Sequence, residues 1–288
     1  MTALAGRLAA LRPGLREVLL FAGALLAYQA SRAVVIGDAA TATTHARDVL
    51  SLERGLGLDI EGAIQDWAVT ATGVTESLNV FYLTGHLPIT AVFFAWLFTR
   101  RRRAYRTLRD GFLAANALAL CIFVVFPTAP PRLTAGAGLA DTLRAESGVD
   151  LHGGPLAGWF NPYAAVPSMH FGYSLLIGIG VAALTRSWAA RIAALAYPAL
   201  VFAAITATGN HFVLDAVAGA LVMGLGLALA SVVRAIVTRR PRPVADAMRG
   251  RRRLPMRSGA ARLSTSISNV APCRADSGRV VHQQPKTS

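Results

Sequence analysis

Long apolar runs separated by short polar or charged segments dominate the chain. Six of them predict membrane-spanning helices, at residues 18–36, 78–98, 111–126, 167–184, 192–208 and 212–237. A helix needs about 17–25 apolar residues to cross a bilayer, so the third run is short for a span. The pattern predicts an all-α polytopic membrane protein, a six-helix transmembrane bundle.

The first run follows Arg7, Arg12 and Arg16, an arrangement that cleaved signal peptides share. Its apolar stretch is longer than a signal core of about 7–15 residues, and no small-x-small cleavage site follows. The sequence therefore favours a retained span over a signal peptide.

Charge is scarce and segregated. Charged residues make up 15% of the chain, against about a quarter in soluble domains. The net charge of +14 would suggest nucleic-acid binding in a soluble protein, but the arginines cluster beside apolar runs. We interpret them as membrane-topology signals and expect no nucleic-acid partner.

The distribution of basic residues predicts the orientation. With the N-terminus in the cytoplasm, all but five of the 29 Lys and Arg residues lie on the cytoplasmic side. Both termini are therefore predicted to be cytoplasmic. The composition, rich in Ala, Arg and Gly, favours a bacterial plasma membrane. The five exceptions are Arg32, Arg47, Arg54, Arg132 and Arg144.

The chain divides into three predicted parts. Residues 1–17 form a cytoplasmic N-terminus, and 18–237 form a six-span catalytic membrane domain. Residues 238–288 are Arg-, Pro- and Ser-rich without apolar periodicity, which predicts a basic disordered cytoplasmic tail that anionic lipid attracts. Within the membrane domain, 45–71 is an extracytoplasmic amphipathic segment and 127–166 is the active-site loop.

The amphipathic segment predicts two short helices, 45–54 and 59–71, broken at Gly55 and Gly57. We expect its leucines, isoleucines and Trp67 to lie in the membrane interface. A packing or lid role is favoured over a catalytic role for its glutamates. Four acidic residues are expected to face water: Asp48, Glu53, Glu61 and Asp66.

Two polar motifs begin apolar runs on the same side of the membrane, at 167–170 and 209–215. Ionisable residues at a bilayer edge are costly and mark functional sites. Asp215 follows His211 by four residues, so its carboxylate can orient a nucleophilic imidazole. His170, in the first turn of its helix, suits a general acid. The alternatives are a His–Asp pair that tethers two helices and a helix cap with a polar interface residue.

A phosphate group fits the residues around these motifs. Arg132 offers a guanidinium fork, and Ser168 with the free N–H groups of a helix start forms an anion seat. Considered without the two histidine motifs, Arg132 would be interpreted as an interfacial arginine that contacts lipid headgroups. Tyr82 and His86 lie near the outer end of the second span and are candidates to line the pocket. His86 beside Pro88 could instead satisfy a carbonyl that proline leaves free.

Cys121 lies in an apolar run and Cys273 in the polar tail, and no metal-ligand spacing is present. We therefore predict no metal and no cofactor.

Five ordered segments together resemble the membrane-bound type 2 phosphatidic acid phosphatase superfamily, shared with vanadium haloperoxidases. More closely, they resemble its inositolphosphotransferase branch, which contains inositol-phosphorylceramide synthases. The segments are 52–61, 82–86, 126–132, 161–170 and 209–215.

The resemblance implies a six-helix bundle of the lipid phosphatase/haloperoxidase type and metal-independent chemistry. It implies that His211 forms a phosphohistidine, that Asp215 orients it, and that His170 protonates the leaving group. Arg132 and Ser168 would hold phosphate oxygens. The other predicted substrate-binding residues are Asn210, Tyr82 and His86.

The chain departs from the common phosphatase pattern at three cationic or polar positions. Val125 stands where a lysine is usual, and Ala204 and Ile205 stand where Ser-Arg is usual. Met169 also replaces the glycine that commonly precedes the motif histidine. A phosphomonoester is close to a dianion, whereas a phosphodiester carries one charge, so we expect a lipid phosphodiester to suit this site better.

The favoured function is therefore an integral-membrane lipid phosphatase or phosphotransferase that acts on a lipid phosphate or phospholipid at the extracytoplasmic face. Hydrolysis and transfer to an alcohol are not separated by the sequence, and neither the lipid nor the oligomeric state is indicated. The alternative is a transporter or scramblase whose polar residues line a path. Paired broken helices and an internal repeat, which would favour it, are not evident. An inactive scaffold has least support, because all three catalytic side chains are present.

Overall fold

Helices make up nearly all the regular structure in the residues that the computed structural model describes, 13–35, 39–150 and 161–239. Within these ranges the helices are α1 (Pro13–Val35), α2 (Ala39–Leu56), α3 (Glu61–Thr70), α4 (Val74–Arg100), α5 (Arg102–Val125), α6 (Thr142–Ser147), α7 (Met169–Leu184), α8 (Trp188–Ala207) and α9 (Val213–Arg239). A π-helical turn interrupts α4 at Phe81–Gly85, and a 3₁₀ turn covers Pro131–Leu133. The predicted tail from residue 240 onward and the first twelve residues lie outside the described ranges.

Four helices are long and apolar enough to cross a membrane: α4, α5, α8 and Val213–Thr238 of α9. The fourth predicted span corresponds to α7, which is apolar but shorter. The first corresponds to α1, which is not among the four. The predicted all-α membrane architecture is confirmed.

The third predicted span is longer than expected, because α5 begins at Arg102 rather than at residue 111. Arginine is a good helix former, and its aliphatic stem can cover apolar surface while the guanidinium stays in water. The arginine-rich stretch therefore extends the helix instead of ending it.

The membrane bundle packs α4, α5, α7 and α9 around aromatic side chains. Phe93, Phe94, Phe112 and Phe123 are buried there together with residues of α7 and α9. Gly226 lets α9 approach the α5 backbone, since a Cβ added there would lie 2.5 Å from the nitrogen of Ala115. Small residues permit such close helix contacts where lipid supplies no hydrophobic driving force.

The amphipathic segment forms two helices as predicted, α2 and α3, but α2 begins earlier, at Ala39, and continues through Gly55. The break lies at Gly57 alone, which has a φ of +67°. The prediction that Glu53 and Glu61 face water is wrong. Their side chains are 0% and 3% exposed, because both turn inward onto the beginning of α9. Trp67 is exposed on the opposite surface of α3.

Hydrogen bonds join the amphipathic segment to the loop after α5. The Gln65 amide donates to the carbonyls of Ala140 and Ala207 at 3.0 and 2.9 Å. Asn79 on α4 donates to the Thr142 carbonyl at 3.0 Å. A parallel bridge between Thr128 and Ala164 joins two parts of the loop. These contacts fix the loop over the ends of α8 and α9.

We predict that Gly226→Ala destabilises the protein, whereas Gly224→Ala does not. The alanine methyl at 226 would overlap the α5 backbone, a type of overpacking that costs about 1–3 kcal/mol. No heavy atom lies within 4 Å of a Cβ added at Gly224 on the same helix. Thermal unfolding of the two detergent-purified variants tests this, and equal midpoints would contradict the α5–α9 packing.

Candidate active site

His211 lies in the short connection between α8 and α9. Gly209 has a φ of +66°, and the backbone N–H groups of Asn210 and His211 both donate to the Ile205 carbonyl. This tight turn ends α8 and holds the His211 side chain in the buried interior.

The His211 Nδ1 atom has two acceptors, the Ala165 carbonyl at 3.0 Å and Oδ2 of Asp215 at 3.3 Å. Because a carbonyl only accepts, Nδ1 must carry the proton. The lone pair of the neutral ring then lies on Nε2, which has no hydrogen-bond partner among the described residues. A free Nε2 with a held Nδ1–H is the form of histidine that attacks an electrophile.

Burial lowers the pKa of His211 to about 3. The hydrogen bond to Ala165 opposes this shift, and the positive charge of Arg132 adds to it. The imidazole is therefore neutral at physiological pH.

Asp215 connects the two sequence motifs. Its Oδ2 accepts from the Phe212 N–H at 2.9 Å in addition to His211. The backbone carbonyl of Asp215 accepts from the Ser168 N–H at 2.8 Å. The start of α7, which carries His170, is therefore attached to the first turn of α9.

His170 faces His211 with a ring-centroid separation of 5.7 Å. The Tyr82 ring stacks on His170 with centroids 4.9 Å apart, and the His86 ring centroid lies 5.1 Å from that of His170. The structure thus brings together the predicted acid, the predicted nucleophile and the two predicted pocket residues.

His86 is 2% exposed, and its Nδ1 is 2.9 Å from the hydroxyl of Tyr197. The alternative in which His86 satisfies a carbonyl freed by Pro88 is not observed. Its Nε2 is buried without a hydrogen-bond partner among the described residues.

Arg132 is attached to the same turn as His211. The backbone N–H of Arg132 donates to the Gly209 carbonyl at 3.0 Å, and the side-chain Nε lies 3.4 Å from Oδ2 of Asp141. One terminal nitrogen, Nη1, contacts the side-chain oxygen of Asn210. The other, Nη2, has no partner within the described ranges and is free to bind an anion. Burial lowers the pKa of Arg132, although its acidic neighbours oppose the shift.

Asn210 is held on both sides, because its amide nitrogen also donates to the Thr208 hydroxyl at 2.6 Å. Its side chain orients Arg132. Asn210 therefore lies behind the guanidinium of Arg132, which the sequence predicted as a phosphate ligand.

Ser168 precedes α7 as predicted, but its hydroxyl does not cap the helix. The side chain is buried, and its Oγ has no partner among the described residues. The Ser168 carbonyl packs against Gly219 of α9, where no side chain would fit. An unpaired buried hydroxyl at a helix start is available to a phosphate oxygen.

Sequence reasoning missed four contributors to this site: the Ala165 carbonyl, Asp141, Glu53 and Glu61. A backbone carbonyl has no sequence signal. The two glutamates lie in an amphipathic pattern that assigns acidic residues to water, so their burial had no sequence signal either.

We predict that acid destabilises the fold through His211. Its pKa is about 3 in the folded protein and 6.5 in the reference state, so the unfolded chain binds more protons in this interval. The contribution of His211 to stability should therefore be lost as the pH falls from about 6.5 to about 3. The midpoint of thermal unfolding of His211→Gln should depend less on pH in this interval than that of the wild type, and identical pH profiles would contradict a buried neutral imidazole.

A comparison with protein-family models matches residues 47–229 to the PAP2 superfamily. No curated protein and no solved structure matches the chain significantly. The matched range includes α3 to α8 and every residue of the site described above. It does not distinguish the inositolphosphotransferase branch, which stays a prediction. The chain, a helical membrane protein in which the rings of the two motif histidines lie close together, belongs to the PAP2 superfamily.

Proposed function

We propose that the protein transfers a phosphoryl group from a lipid phosphodiester or lipid phosphate through a covalent intermediate on His211. The observation that carries the proposal is the fixed tautomer of this residue. Its Nδ1–H is held by the Ala165 carbonyl and Asp215, which leaves Nε2 free, and the ring of His170 lies 5.7 Å away between centroids.

In the first half-reaction, Nε2 of His211 attacks phosphorus and a P–N bond forms. The P–O bond to the leaving group breaks, and a protonated His170 gives its proton to the departing oxygen. Asp215 stabilises the positive charge that develops on the His211 ring.

In the second half-reaction, His170 takes the proton from water or from an acceptor alcohol. The oxygen of that acceptor attacks phosphorus, and the P–N bond breaks to restore neutral His211. Water gives hydrolysis and an alcohol gives transfer. The chemistry is the same, and the molecule that reaches His170 decides the product.

Negative charge on the phosphate oxygens is matched by Arg132 and by the helix start at Ser168. The Nη2 atom of Arg132, the unpaired Oγ of Ser168 and the first N–H groups of α7 are donors that do not need to reorganise. Donors fixed before the reaction stabilise the transition state most effectively.

A phosphodiester substrate fits the charge of this site. Val125, which stands in the place of a usual lysine, is 75% exposed on the outer surface of α5. Ala204 and Ile205 are buried and apolar. One guanidinium with neutral donors suits the single charge of a diester, and an inositolphosphotransferase-like reaction is one such transfer.

We further propose that the site opens to the extracytoplasmic side of a bacterial plasma membrane, with both termini in the cytoplasm. The basic-residue distribution supports this orientation. Lipid headgroups of the outer leaflet would then reach His170 and His211 without crossing the bilayer.

We predict that the purified protein turns over in EDTA and that His211→Ala is inactive. The assay compares phosphatidic acid, an isoprenoid diphosphate and phosphatidylinositol with a lipid alcohol acceptor. We expect the diester to be the preferred substrate, and an acid-labile phosphoryl label on the wild type only. His282→Ala is the matched control.

Equal turnover by wild type and His211→Ala would remove His211 from the mechanism. Much faster hydrolysis of phosphatidic acid than of any diester would overturn the substrate preference alone. No turnover of any substrate would favour the transport alternative.

The orientation predicts which surface residues react with an impermeant maleimide in intact cells. In a chain with Cys121 and Cys273 replaced by serine, Asp48→Cys on exposed α2 should be labelled. Arg103→Cys, exposed on α5, should react only after lysis. The reverse pattern would place the site in the cytoplasm.

A further inference from the structure

Three carboxylates meet three consecutive N–H groups at the start of α9. Asp215 accepts from Phe212 at 2.9 Å, Glu61 from Val213 at 2.7 Å, and Glu53 from Leu214 at 2.6 Å. The first turn of this helix immediately follows His211. Two of the three carboxylates come from other helices, Glu53 from α2 and Glu61 from α3.

Glu53 and Glu61 are buried without a cation. Neither forms a salt bridge with a Lys, Arg or His side chain in the described part of the chain. The second oxygen of Glu53 is buried with no hydrogen-bond donor among the described residues. Glu53 and Glu61 accept from the adjacent N–H groups of Leu214 and Val213, so the two carboxyl groups lie next to each other. Two carboxyl groups in such contact cannot both be ionised at low cost, so they must share a proton.

The charged groups that act on Glu53 are Glu61 of α3 and Asp215 of α9, and both are acidic. A helix start stabilises negative charge, but only to the extent of about half an elementary charge. One shared negative charge between Glu53 and Glu61 is therefore compatible with this position, and a second is not.

We propose that Glu53 and Glu61 form a proton-sharing carboxyl pair that fixes the first turn of α9 and thereby positions His211. The pair acts through the backbone and does not touch the phosphate, so its members are positioning residues. The inference rests on the proposed function of His211 only where it concerns activity. Loss of the shared proton puts two negative charges beside Asp215 and loosens the turn.

Burial raises the pKa of Glu53 to about 8, and the hydrogen bond from Leu214 opposes the shift. The folded protein therefore keeps this proton between the reference pKa of 4.5 and about 8, an interval in which the unfolded chain loses it. The folded state binds more protons there, so the contribution of Glu53 to stability decreases as the pH rises through this interval. The His211 contribution has the opposite sign and is complete at about pH 6.5, so the net stability should fall with rising pH between about 6.5 and 8. Activity should fall as the pH rises through about 8.

The variants Glu53→Gln and Glu53→Leu distinguish the effect of the shared proton from the effect of the hydrogen bond that Glu53 accepts from Leu214. Glutamine still accepts from Leu214, and its NH₂ group replaces the shared proton as the donor to Glu61. We expect neutral-pH turnover within about threefold of the wild type, with the alkaline decline shifted to higher pH. Leucine lacks the acceptor, and the displaced nucleophile should lower kcat roughly a hundredfold with little change in KM.

Asp48→Asn is the matched control, because Asp48 lies on the same helix and is exposed. It should change neither the pH profile nor kcat. A Glu53→Leu variant with full kcat, or a Glu53→Gln variant with an unchanged alkaline decline, would overturn the positioning role.

Infrared titration of the purified protein tests the proton without requiring a substrate. At neutral pH the wild type and Asp48→Asn should show the C=O stretch of a protonated carboxylic acid, which titrates near pH 8. Glu53→Gln and Glu61→Gln should each lose that band. An unchanged spectrum in both variants would overturn the carboxyl pair.

Turnover measurements and infrared titration together distinguish a failure of this inference from a failure of the proposed function. If the wild type turns over none of the phosphate esters, the proposed function fails. The pair is then judged by the infrared band and by the unfolding midpoint, which should fall between about pH 6.5 and 8 in the wild type and stay flatter in Glu53→Gln. If the wild type is active and both variants match it in spectrum and pH profile, the inference alone fails.

Discussion

The structure of the site depends on how the N-terminus of α9 satisfies its free backbone donors. Every helix begins with N–H groups that lack an intrahelical acceptor, and burying them unpaired costs free energy. Here Asp215, Glu61 and Glu53 supply the acceptors from three different helices. This interaction holds the amphipathic segment against the membrane bundle and places His211 at a fixed distance from α7.

The N-terminus of α9 also explains why His170 and His211 lie close together. Asp215 accepts from the Ser168 N–H through its carbonyl and from His211 through its carboxylate, so one residue sets the position of both motifs. Arg132 is attached to the same turn through the Gly209 carbonyl. His211, His170 and Arg132 come from separate parts of the chain. Hydrogen bonds attach Arg132 to the connection that contains His211, and attach the start of α7, which carries His170, to the first turn of α9.

Hydropathy and motif spacing predicted the helices and singled out His170, His211 and Asp215, which the structure brings together, because membrane spans and an i,i+4 pair are local patterns. The burial of Glu53 and Glu61 was not predictable in this way. An amphipathic pattern assigns acidic residues to water, and only the tertiary position of α9 provides donors that reverse the assignment. The Ala165 carbonyl was likewise hidden, since a backbone acceptor is independent of residue type. The length of α5 was underestimated because charge was taken as a helix boundary.

The charges around the site are separated in a way that suits attack on phosphorus. The carboxyl groups lie on the Nδ1 side of His211. There Asp215 accepts a hydrogen bond from Nδ1–H, which increases the electron density at Nε2. Burial and the positive charge of Arg132 lower the pKa of the ring, so the imidazole is neutral at physiological pH, as the proposed attack on phosphorus requires. A carboxylate on the phosphate side would repel the substrate, and a cation behind the ring would oppose the charge that develops there. Sharing one proton between Glu53 and Glu61 limits the negative charge at the back to what the helix start can stabilise.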